Sequence, residues 1–271
     1  MKDAAPQPVR LSEYMAPAWL ADTVELTFRL HPTQTRVLSR ISFRPNPEAA
    51  PGQPLTLHGE GLTLISAALD GQPLAEGDYA RSETELTVPA HLLPAGPVTW
   101  EAEVEIDPEG NTALEGLYMS KGMYCTQCEA EGFRKITYYP DRPDVMAVFT
   151  VRIEGDLPVL LSNGNPVNSG PGFAEWHDPW PKPSYLFALV AGDLVAHSDR
   201  FTTRSGRAVD LNVWVRPGDE DRCDYAMDAL KRSMRWDEQE YGREYDLDVF
   251  NIVAVDDFNM GAMENKGLNI F

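Results

Sequence analysis

The clearest structural pattern in the chain lies in residues 251–271, whose sequence is NIVAVDDFNMGAMENKGLNIF. The apolar residues at its two ends predict two buried strands, and the residues between them predict a loop. This loop carries the large apolar side chains of Met260 and Met263, which are unusual on a surface. The carboxylate of Glu264 follows the small residues 261–262, and this arrangement is suited to holding the end of a peptide.

The composition limits the possible partners. With 271 residues, the chain exceeds the roughly 100–200 residues of a typical domain, so two domains are expected. The formal net charge of −19 argues against binding to nucleic acid or an anionic membrane, because both require basic patches. The longest apolar run, Leu186–Ala191, is too short to span a bilayer. We therefore expect no nucleic-acid or membrane partner. The sequence leaves the oligomeric state open, and our working expectation is a monomer.

The cysteine content and the N-terminal sequence predict the compartment. The chain has three cysteines, an odd and low number, and no apolar secretory leader follows Met1. Structural disulfides are rare in the cytosol, where thiols stay reduced. The prediction is a cytoplasmic protein with free thiols.

The first two-thirds of the chain show the period-2 pattern of half-buried strands. Apolar and polar residues alternate over residues 23–30, 100–106 and 147–153, with turn signals between such segments. This pattern predicts a mainly β structure, an antiparallel sandwich or saddle-like sheet, for residues 1–192. The Pro- and Trp-rich residues 171–185 are expected to form a connection into a last strand, Tyr185–Val190.

Residues 193–271 are predicted to begin an α+β domain. A hairpin over residues 201–215 precedes Asp219, the expected N-cap of a helix that ends at Gly242. A strand buried on both faces is expected at Val249–Val255. The sequence then enters the loop and the last strand, so we expect an N-terminal portion of a longer protein.

Local patterns leave alternatives open at each candidate site. Cys125 and Cys128 form a single C-x-x-C, and Cys223 is the only other cysteine, so a redox or metal module is a weak alternative. The segment around Gln127 and Glu129 has the composition of a solvated acidic loop. Residues 260–265 could form a simple β-turn between core strands.

The sequence contains no complete set of catalytic residues. It has no H-E-x-x-H helix, no G-x-S-x-G elbow and no Walker A loop. The histidines are isolated from one another and from other metal-ligand residues, and we expect surface or turn roles for all of them: His31, His58, His91, His177 and His197.

Two segments resemble a known family. The sequence Gly261-Ala262-Met263-Glu264-Asn265 resembles the G-A-M-E-N exopeptidase signature of the zinc aminopeptidases of the aminopeptidase N (alanyl aminopeptidase, gluzincin) family. Residues 125–134 and 138–145 resemble the same family, and the similarity extends from about Tyr14 to Phe271. Two long matches in the same order are highly specific.

The resemblance implies a fold and a cofactor. Residues 1–192 would form the β-rich saddle domain, and residues 193–271 the incomplete first part of a thermolysin-like catalytic domain. In the family, the zinc-binding helix and an oxyanion-supporting tyrosine follow the signature. The resemblance therefore implies Zn²⁺ in the full-length protein, with no metal, no catalytic residue and no activity in this portion alone.

The resemblance also implies the roles of individual residues. Glu264 and Glu129 would bind the substrate's α-ammonium, with the amide of Gln127 completing the cradle. The backbone of Gly261 and Ala262 would contact the substrate peptide bond. The complete implied substrate-binding set is Gln127, Glu129, Met260, which lines the first side-chain pocket, Gly261, Ala262, Met263, Glu264 and Asn265.

The expected function is that of a zinc metallo-aminopeptidase that releases N-terminal residues from peptides with a free N-terminus. This portion would contribute the amine anchor. The alternative is a non-catalytic peptide-binding or scaffold protein that uses the same fold, and an H-E-x-x-H sequence after residue 271 would separate the two.

Overall fold

The computed structural model describes residues 10–271, so the N-terminal stretch examined for a leader lies outside it. Strands dominate this part of the chain, with one α-helix and five short 3₁₀ turns. In chain order the elements are β1 (Trp19–Arg29), β2 (Thr35–Pro45), β3 (Leu55–His58), β4 (Thr63–Leu69), β5 (Gln72–Pro73), β6 (Ala80–Arg81), β7 (Glu85–Val88), β8 (Val98–Ile106), β9 (Gly116–Ser120), β10 (Met123–Gln127), β11 (Met146–Glu154), β12 (Val159–Ser162), β13 (Asn165–Gly170), β14 (Phe173–Pro183), β15 (Leu189–Gly192), β16 (Val195–Thr202), β17 (Ala208–Val215), α1 (Asp224–Glu240), β18 (Val249–Val253) and β19 (Leu268–Ile270).

The largest sheet has eight strands in the order β13-β14-β11-β1-β2-β8-β4-β5. Its strands alternate between buried and exposed residues, because successive side chains of a strand point to opposite faces. All but one of its strand pairs are antiparallel, as predicted. The exception is β1 with β11, which are parallel and are separated in the chain by strands of all three sheets.

The two smaller sheets have the orders β12-β15-β10-β9 and β3-β7-β6. A group of buried aromatic rings lies at the centre of the shared core. Phe133 makes edge-to-face contacts with Tyr139 and Phe187, with ring centroids 5.2 Å and 5.3 Å apart. Such geometry adds to the stabilisation from burial alone. This core holds the end of β10, where the predicted Gln127 lies.

The prediction for residues 171–185 was wrong. These residues form β14, an eleven-residue strand paired with β11, and the strand expected at Tyr185–Val190 lies instead at Leu189–Gly192. Proline normally argues against a paired strand because it lacks an N–H donor. Here the ladder shifts register between Ala147 and Phe149, so Pro179 and Pro181 fall in a bulge that requires no donor.

A fourth sheet, in the order β16-β17-β18-β19, follows residue 192. Strand β18 lies between two cores: Val249 and Val253 face the large core, while Phe250 and Ile252 pack against the side covered by α1. The predicted burial on both faces holds for the side facing the large core, whereas Phe250 and Ile252 on the other side are only half-buried, and the strand ends at Val253 rather than Val255. It leads directly into the 254–267 loop.

The predicted cap of α1 was wrong. Asp219 precedes a short 3₁₀ turn, Glu220–Arg222, and α1 begins at Asp224 without a side-chain cap. The helix ends at Glu240, and Gly242 follows with a φ of 65°, the left-handed conformation that glycine adopts readily. Within residues 10–271, no helix combines the length and apolarity needed to cross a bilayer.

Candidate functional site

Gln127 ends β10 and is buried, with 1% of its surface exposed. Neither its Oε1 nor its Nε2 atom has a hydrogen-bond partner among the described residues. Buried side-chain amides are nearly always paired, because an unpaired polar group loses its hydration without compensation. Gln127 therefore holds an unused donor and acceptor at the end of a rigid strand.

A compact turn follows Gln127 and places Glu129 at the surface. The N–H of Gly132 donates to the carbonyl of Cys128 at 2.9 Å, and a Cβ on Gly132 would lie 2.5 Å from the carbonyl oxygen of Gln127. Only glycine fits this approach. Glu129 is exposed and forms no ion pair within residues 10–271, whereas Glu131 pairs with Arg134 at 3.2 Å.

The turn rests on a buried network that the sequence analysis missed. Asp141 accepts hydrogen bonds from the Arg134 N–H at 3.1 Å and from Ser184 Oγ at 2.6 Å. Its own N–H donates to His58 Nδ1 at 3.0 Å. Burial raises the pKa of the Asp141 carboxyl, and these hydrogen bonds oppose the rise. Asp141 belongs to the second matched segment, but nothing local in its sequence indicates that it is buried.

The second half of the predicted site is the 254–267 loop. Met263 is buried and its backbone pairs with Ile270, with N···O distances of 2.8 Å and 3.1 Å. Asn265 is 1% exposed, and its Oδ1 has no partner in the described part of the chain. Glu264 is exposed and forms no ion pair there. The segment is thus more than a simple turn, because it joins a buried frame to a free carboxylate.

Gly261 lies in open space. A Cβ on this residue would meet no atom within 4 Å, and its φ lies outside the left-handed region. The protein itself therefore does not require glycine at this position. A glycine that the fold does not need is consistent with close approach of another backbone, as the resemblance implies.

The loop is held against the first part of the chain at both ends. Tyr118 and Ser120 of β9 bond Asp257, and Asn163 Nδ2 donates to the carbonyl of Lys266 at 3.0 Å. Gly267 has a φ of 79°, and its Cβ would lie 3.1 Å from the backbone nitrogen of Gly164. The bonds from Tyr118 and Ser120 join the loop to the β9–β10 hairpin, which carries Gln127. No hydrogen bond or ion pair within residues 10–271 joins Gln127 or Glu129 to residues 260–265.

The C-x-x-C pair gains no support as a reactive site. Cys125 and Cys128 are buried free thiols. Burial raises the pKa of Cys125 to about 12 and that of Cys128 well above its usual range. Redox-active thiols have lowered pKa values and some exposure. Both cysteines instead pack in the core of the β9–β10 hairpin.

The histidines do not share a site. The expected surface or turn role was wrong for His58, which is half-buried at the end of β3 and accepts a hydrogen bond from the Asp141 N–H. The ring of His31 bonds the backbone of Thr33, and His177 bonds Thr150. Across the described range 10–271, no group of three or more His, Cys, Asp or Glu side chains is placed to hold a metal ion. These residues do not fit a zinc centre, so we assign them no step that involves a metal.

Comparisons with known proteins match nearly the whole chain. The model of the peptidase M1 N-terminal domain matches residues 21–186, and that of the peptidase family M1 domain matches residues 225–271. Aminopeptidase N of Caulobacter vibrioides is 57% identical over 100% of this chain, and aminopeptidase N of Escherichia coli is 50% identical over 98%. The chain spans 32% and 31% of these two relatives.

A solved structure agrees. The crystal structure of Legionella pneumophila aminopeptidase A in complex with aspartic acid superposes with a TM-score of 0.90 at 34% identity. The match covers 97% of this chain and 32% of that one. The mainly β fold, the order of the two matched domains and the sequence identity all agree: the chain belongs to the M1 family of peptidases.

Proposed function

We propose that this chain supplies the α-amine anchor and the substrate-contacting strand of a zinc aminopeptidase. The relatives named aminopeptidase N are about three times as long as this chain, so the activity itself belongs to a protein of that length. The substrates would be peptides with a free N-terminus. The observation that carries the proposal is the buried amide of Gln127, followed two residues later by the exposed carboxylate of Glu129, both without a side-chain partner within residues 10–271.

The chemistry of an ammonium group fits these residues. An α-ammonium presents three N–H donors and no acceptor. The carboxylates of Glu129 and Glu264 and the Oε1 atom of Gln127 are acceptors, and none of them has a partner within residues 10–271. Hydrogen bonds with charged partners are roughly twice as strong as neutral ones. Three such acceptors satisfy one ammonium completely.

This arrangement would select the ends of peptides. A blocked or internal residue lacks the ammonium, so its binding would leave two carboxylates unpaired and desolvated. Gly261 and Ala262 would lie along the first peptide bond, and Met260, Met263 and Asn265 would border the first side chain. Met260 is 48% exposed, which leaves a flexible thioether available to adapt to different side chains.

The M1 family implies zinc in its full-length members. Since the described residues provide no ligand set, the metal and the water it activates are assigned to no residue of this chain. We further propose the division into residues 1–192 and 193–271, which is supported by a second apolar core around α1. A cytoplasmic location is supported by three free thiols. Membership of the M1 family favours this function over a non-catalytic scaffold.

The amine anchor can be tested with the 271-residue chain. Binding of L-leucinamide and of N-acetyl-L-leucinamide is measured by NMR titration of the ¹⁵N-labelled protein, with the Gln127 side-chain amide as reporter. We expect saturable binding of the free amine only. Glu129→Gln and Glu264→Gln should each weaken it by about 1.5–3 kcal/mol, the contribution of a hydrogen bond to a charged group, because each change replaces a charged acceptor by a neutral one.

Glu131→Gln is the matched control, because it removes the same charge from the same turn at a residue already paired with Arg134. Equal binding of the acetylated probe, or equal losses in Glu131→Gln and Glu129→Gln, would contradict the anchor. In a protein of the relatives' full length, release of N-terminal residues and its loss on N-acetylation of the peptide would test the complete function.

A further inference from the structure

The 254–267 loop has little backbone support of its own. The N–H groups of Ala254 and Val255 bond to neighbouring strands, and the next backbone pairing occurs at Met263. Between Val255 and Met263, no backbone–backbone hydrogen bond forms within residues 10–271. The path of this segment therefore depends on packing of Phe258 against the large core and on side-chain hydrogen bonds and ion pairs at Asp256, Asp257 and Asn259.

The contacts of Asp257 differ from those of its neighbours because three of its atoms bond buried groups. Tyr118 Oη donates to the Asp257 carbonyl at 2.7 Å, and Ser120 Oγ donates to Asp257 Oδ2 at 2.7 Å. The Asp257 N–H lies 3.2 Å from Ser120 Oγ. Tyr118 is fully buried and Ser120 is 1% exposed. Both donors are thus held rigidly by the core.

Asp256 makes a different kind of contact. Its carboxylate pairs with Lys121 at 3.0 Å and with Arg216 at 2.9 Å, and the Lys121 side chain is 67% exposed. Exposed ion pairs are screened by water and salt and define a position poorly. Asn259 contributes one exposed bond, from its Nδ2 to the carbonyl of Leu114 at 2.9 Å. Among the polar contacts of this segment, Asp257 is therefore the one with the most hydrogen bonds to buried groups.

The two residues that hold Asp257 belong to the same hairpin as Gln127. Strands β9 and β10 pair with Tyr118 opposite Cys125 and with Gly116 opposite Gln127. The β9–β10 hairpin thus carries Gln127, which belongs to one half of the amine anchor. The same hairpin binds Asp257, seven residues before Glu264, in the loop that carries the other half. A shift of this contact would change the separation between the two halves.

We infer that Tyr118, Ser120 and Asp257 form a positioning clamp that sets the separation between Glu264 and the Gln127–Glu129 turn. This inference rests on the proposed function. The clamp residues are positioning residues and touch no substrate themselves. Because ammonium binding requires three acceptors at fixed distances, a small displacement of the loop lowers affinity without removing any acceptor.

The clamp is tested by binding of L-leucinamide to the full chain and its variants. Asp257→Ala should weaken binding about ten-fold or more, since misplacing a binding group by about 1 Å has large effects. Asp257→Asn keeps an acceptor for Ser120 Oγ and should restore affinity to within about two-fold of the original chain. Asp256→Ala is the matched control, and we expect it to change affinity less than about two-fold.

Tyr118→Phe provides a second variant that preserves the buried ring and removes the hydroxyl, which bonds the Asp257 carbonyl and also contacts the buried Cys125 thiol. It should weaken binding of the amine in the same direction, with a circular dichroism spectrum and a cooperative melt like those of the original chain. A folded Tyr118→Phe and a folded Asp257→Ala that both bind L-leucinamide within about two-fold of the original chain would overturn the clamp.

A double-mutant cycle separates positioning from a general effect on stability. In the Glu264→Gln background, Asp257→Ala should cause little further loss, because the loop no longer carries a charge to position. Additive losses would overturn the inference. If Glu264→Gln alone leaves binding unchanged, the amine anchor itself fails. If Glu264→Gln weakens binding of L-leucinamide but the Asp257 and Tyr118 variants do not, the amine anchor is supported and the clamp is contradicted.

Discussion

The two halves of the proposed anchor are built in different ways. The turn after Gln127 rests on a dense core of aromatic rings and on a buried network around Asp141. The segment Met260–Asn265 is buried only at Met263 and Asn265, and it is held by the backbone pairing of Met263 with Ile270 and by side-chain bonds of the loop to the β9–β10 hairpin and to Asn163. The first half is positioned by packing and the second by hydrogen bonds. Changes in the core should therefore affect stability, and changes in the loop should mainly affect binding.

The largest loss of stability is expected from a substitution in the core beneath the turn that follows Gln127. Phe133→Ala removes a fully buried ring that contacts Tyr139, Phe149 and Phe187. The free energy of unfolding should fall by about 3–5 kcal/mol, from lost burial and the remaining cavity. The matched change in the loop, Met260→Ala, removes a half-exposed side chain and should cost less than about 0.5 kcal/mol. Urea titrations followed by circular dichroism would compare the two variants. Similar losses of stability would contradict the view that only the turn is positioned by core packing.

Substitution of one glycine in the turn and one in the loop tests the same difference between the two halves of the anchor. Gly132→Ala places a Cβ 2.5 Å from the Gln127 carbonyl oxygen, and we expect a loss of about 1–3 kcal/mol in stability from the forced backbone shift. Gly261→Ala places its Cβ in open space and should leave stability unchanged or raise it by about 0.4–1 kcal/mol.

At Gly261, we expect a substitution to affect peptide binding although it does not lower stability. Gly261→Ala keeps the fold but adds bulk where a substrate backbone would lie, so binding of a tripeptide with a free amine should weaken. Thermal melts and peptide titrations of both variants would check this. A stable Gly261→Ala with undiminished peptide binding would remove the argument for backbone approach at this position.

The network under the turn should show a pH signature. Burial lowers the pKa of His58 below 6.5, and its Nδ1 accepts the Asp141 N–H. The unfolded chain therefore binds a proton at higher pH than the folded chain does, so stability rises with pH between the folded pKa and 6.5 and is lost as pH falls through that window. His58→Gln should flatten this slope, as measured by urea midpoints from pH 5 to 8.

His91 provides the control for the pH experiment, because it is exposed and has no hydrogen-bonding partner among residues 10–271. His91→Gln should leave the slope below pH 6.5 unchanged. An unchanged slope in His58→Gln would show that another group produces the acid sensitivity.

The smallest effect is expected at the exposed edge of the loop. Lys121→Gln removes the 3.0 Å ion pair with Asp256, whose second partner, Arg216, remains. The loss of stability should be about 0.2–1 kcal/mol at low salt and should vanish near 1 M salt, because surface ion pairs are weak and screened. Thermal melts at several salt concentrations would measure it, and a loss above that range would make the exposed pair a structural tie comparable to Asp257.

Much of the fold could be predicted from the sequence alone. Alternation over residues 23–30 and 147–153 predicted the strands β1 and β11 because burial of one face imposes a period of two. Apolar spacing predicted a helix between Asp219 and Gly242, and the observed helix is shorter, Asp224–Glu240. The same local logic failed at β14, where prolines suggested a connection. That strand forms because it pairs with β11 and because a bulge accommodates Pro179 and Pro181. Both conditions depend on the assembled sheet, so the local sequence does not reveal them.

For the site, the sequence determined which groups are available, and the tertiary structure decided which of them are left unpaired. The motif residues Gln127, Glu129 and Glu264 were identified by resemblance, since local composition favoured an ordinary acidic loop and a turn. The burial of Gln127 without a partner, and the hold of Ser120 on Asp257 across 137 positions, could not be predicted. Hydrogen-bond satisfaction depends on atoms brought together from distant parts of the chain, and no local pattern records that proximity.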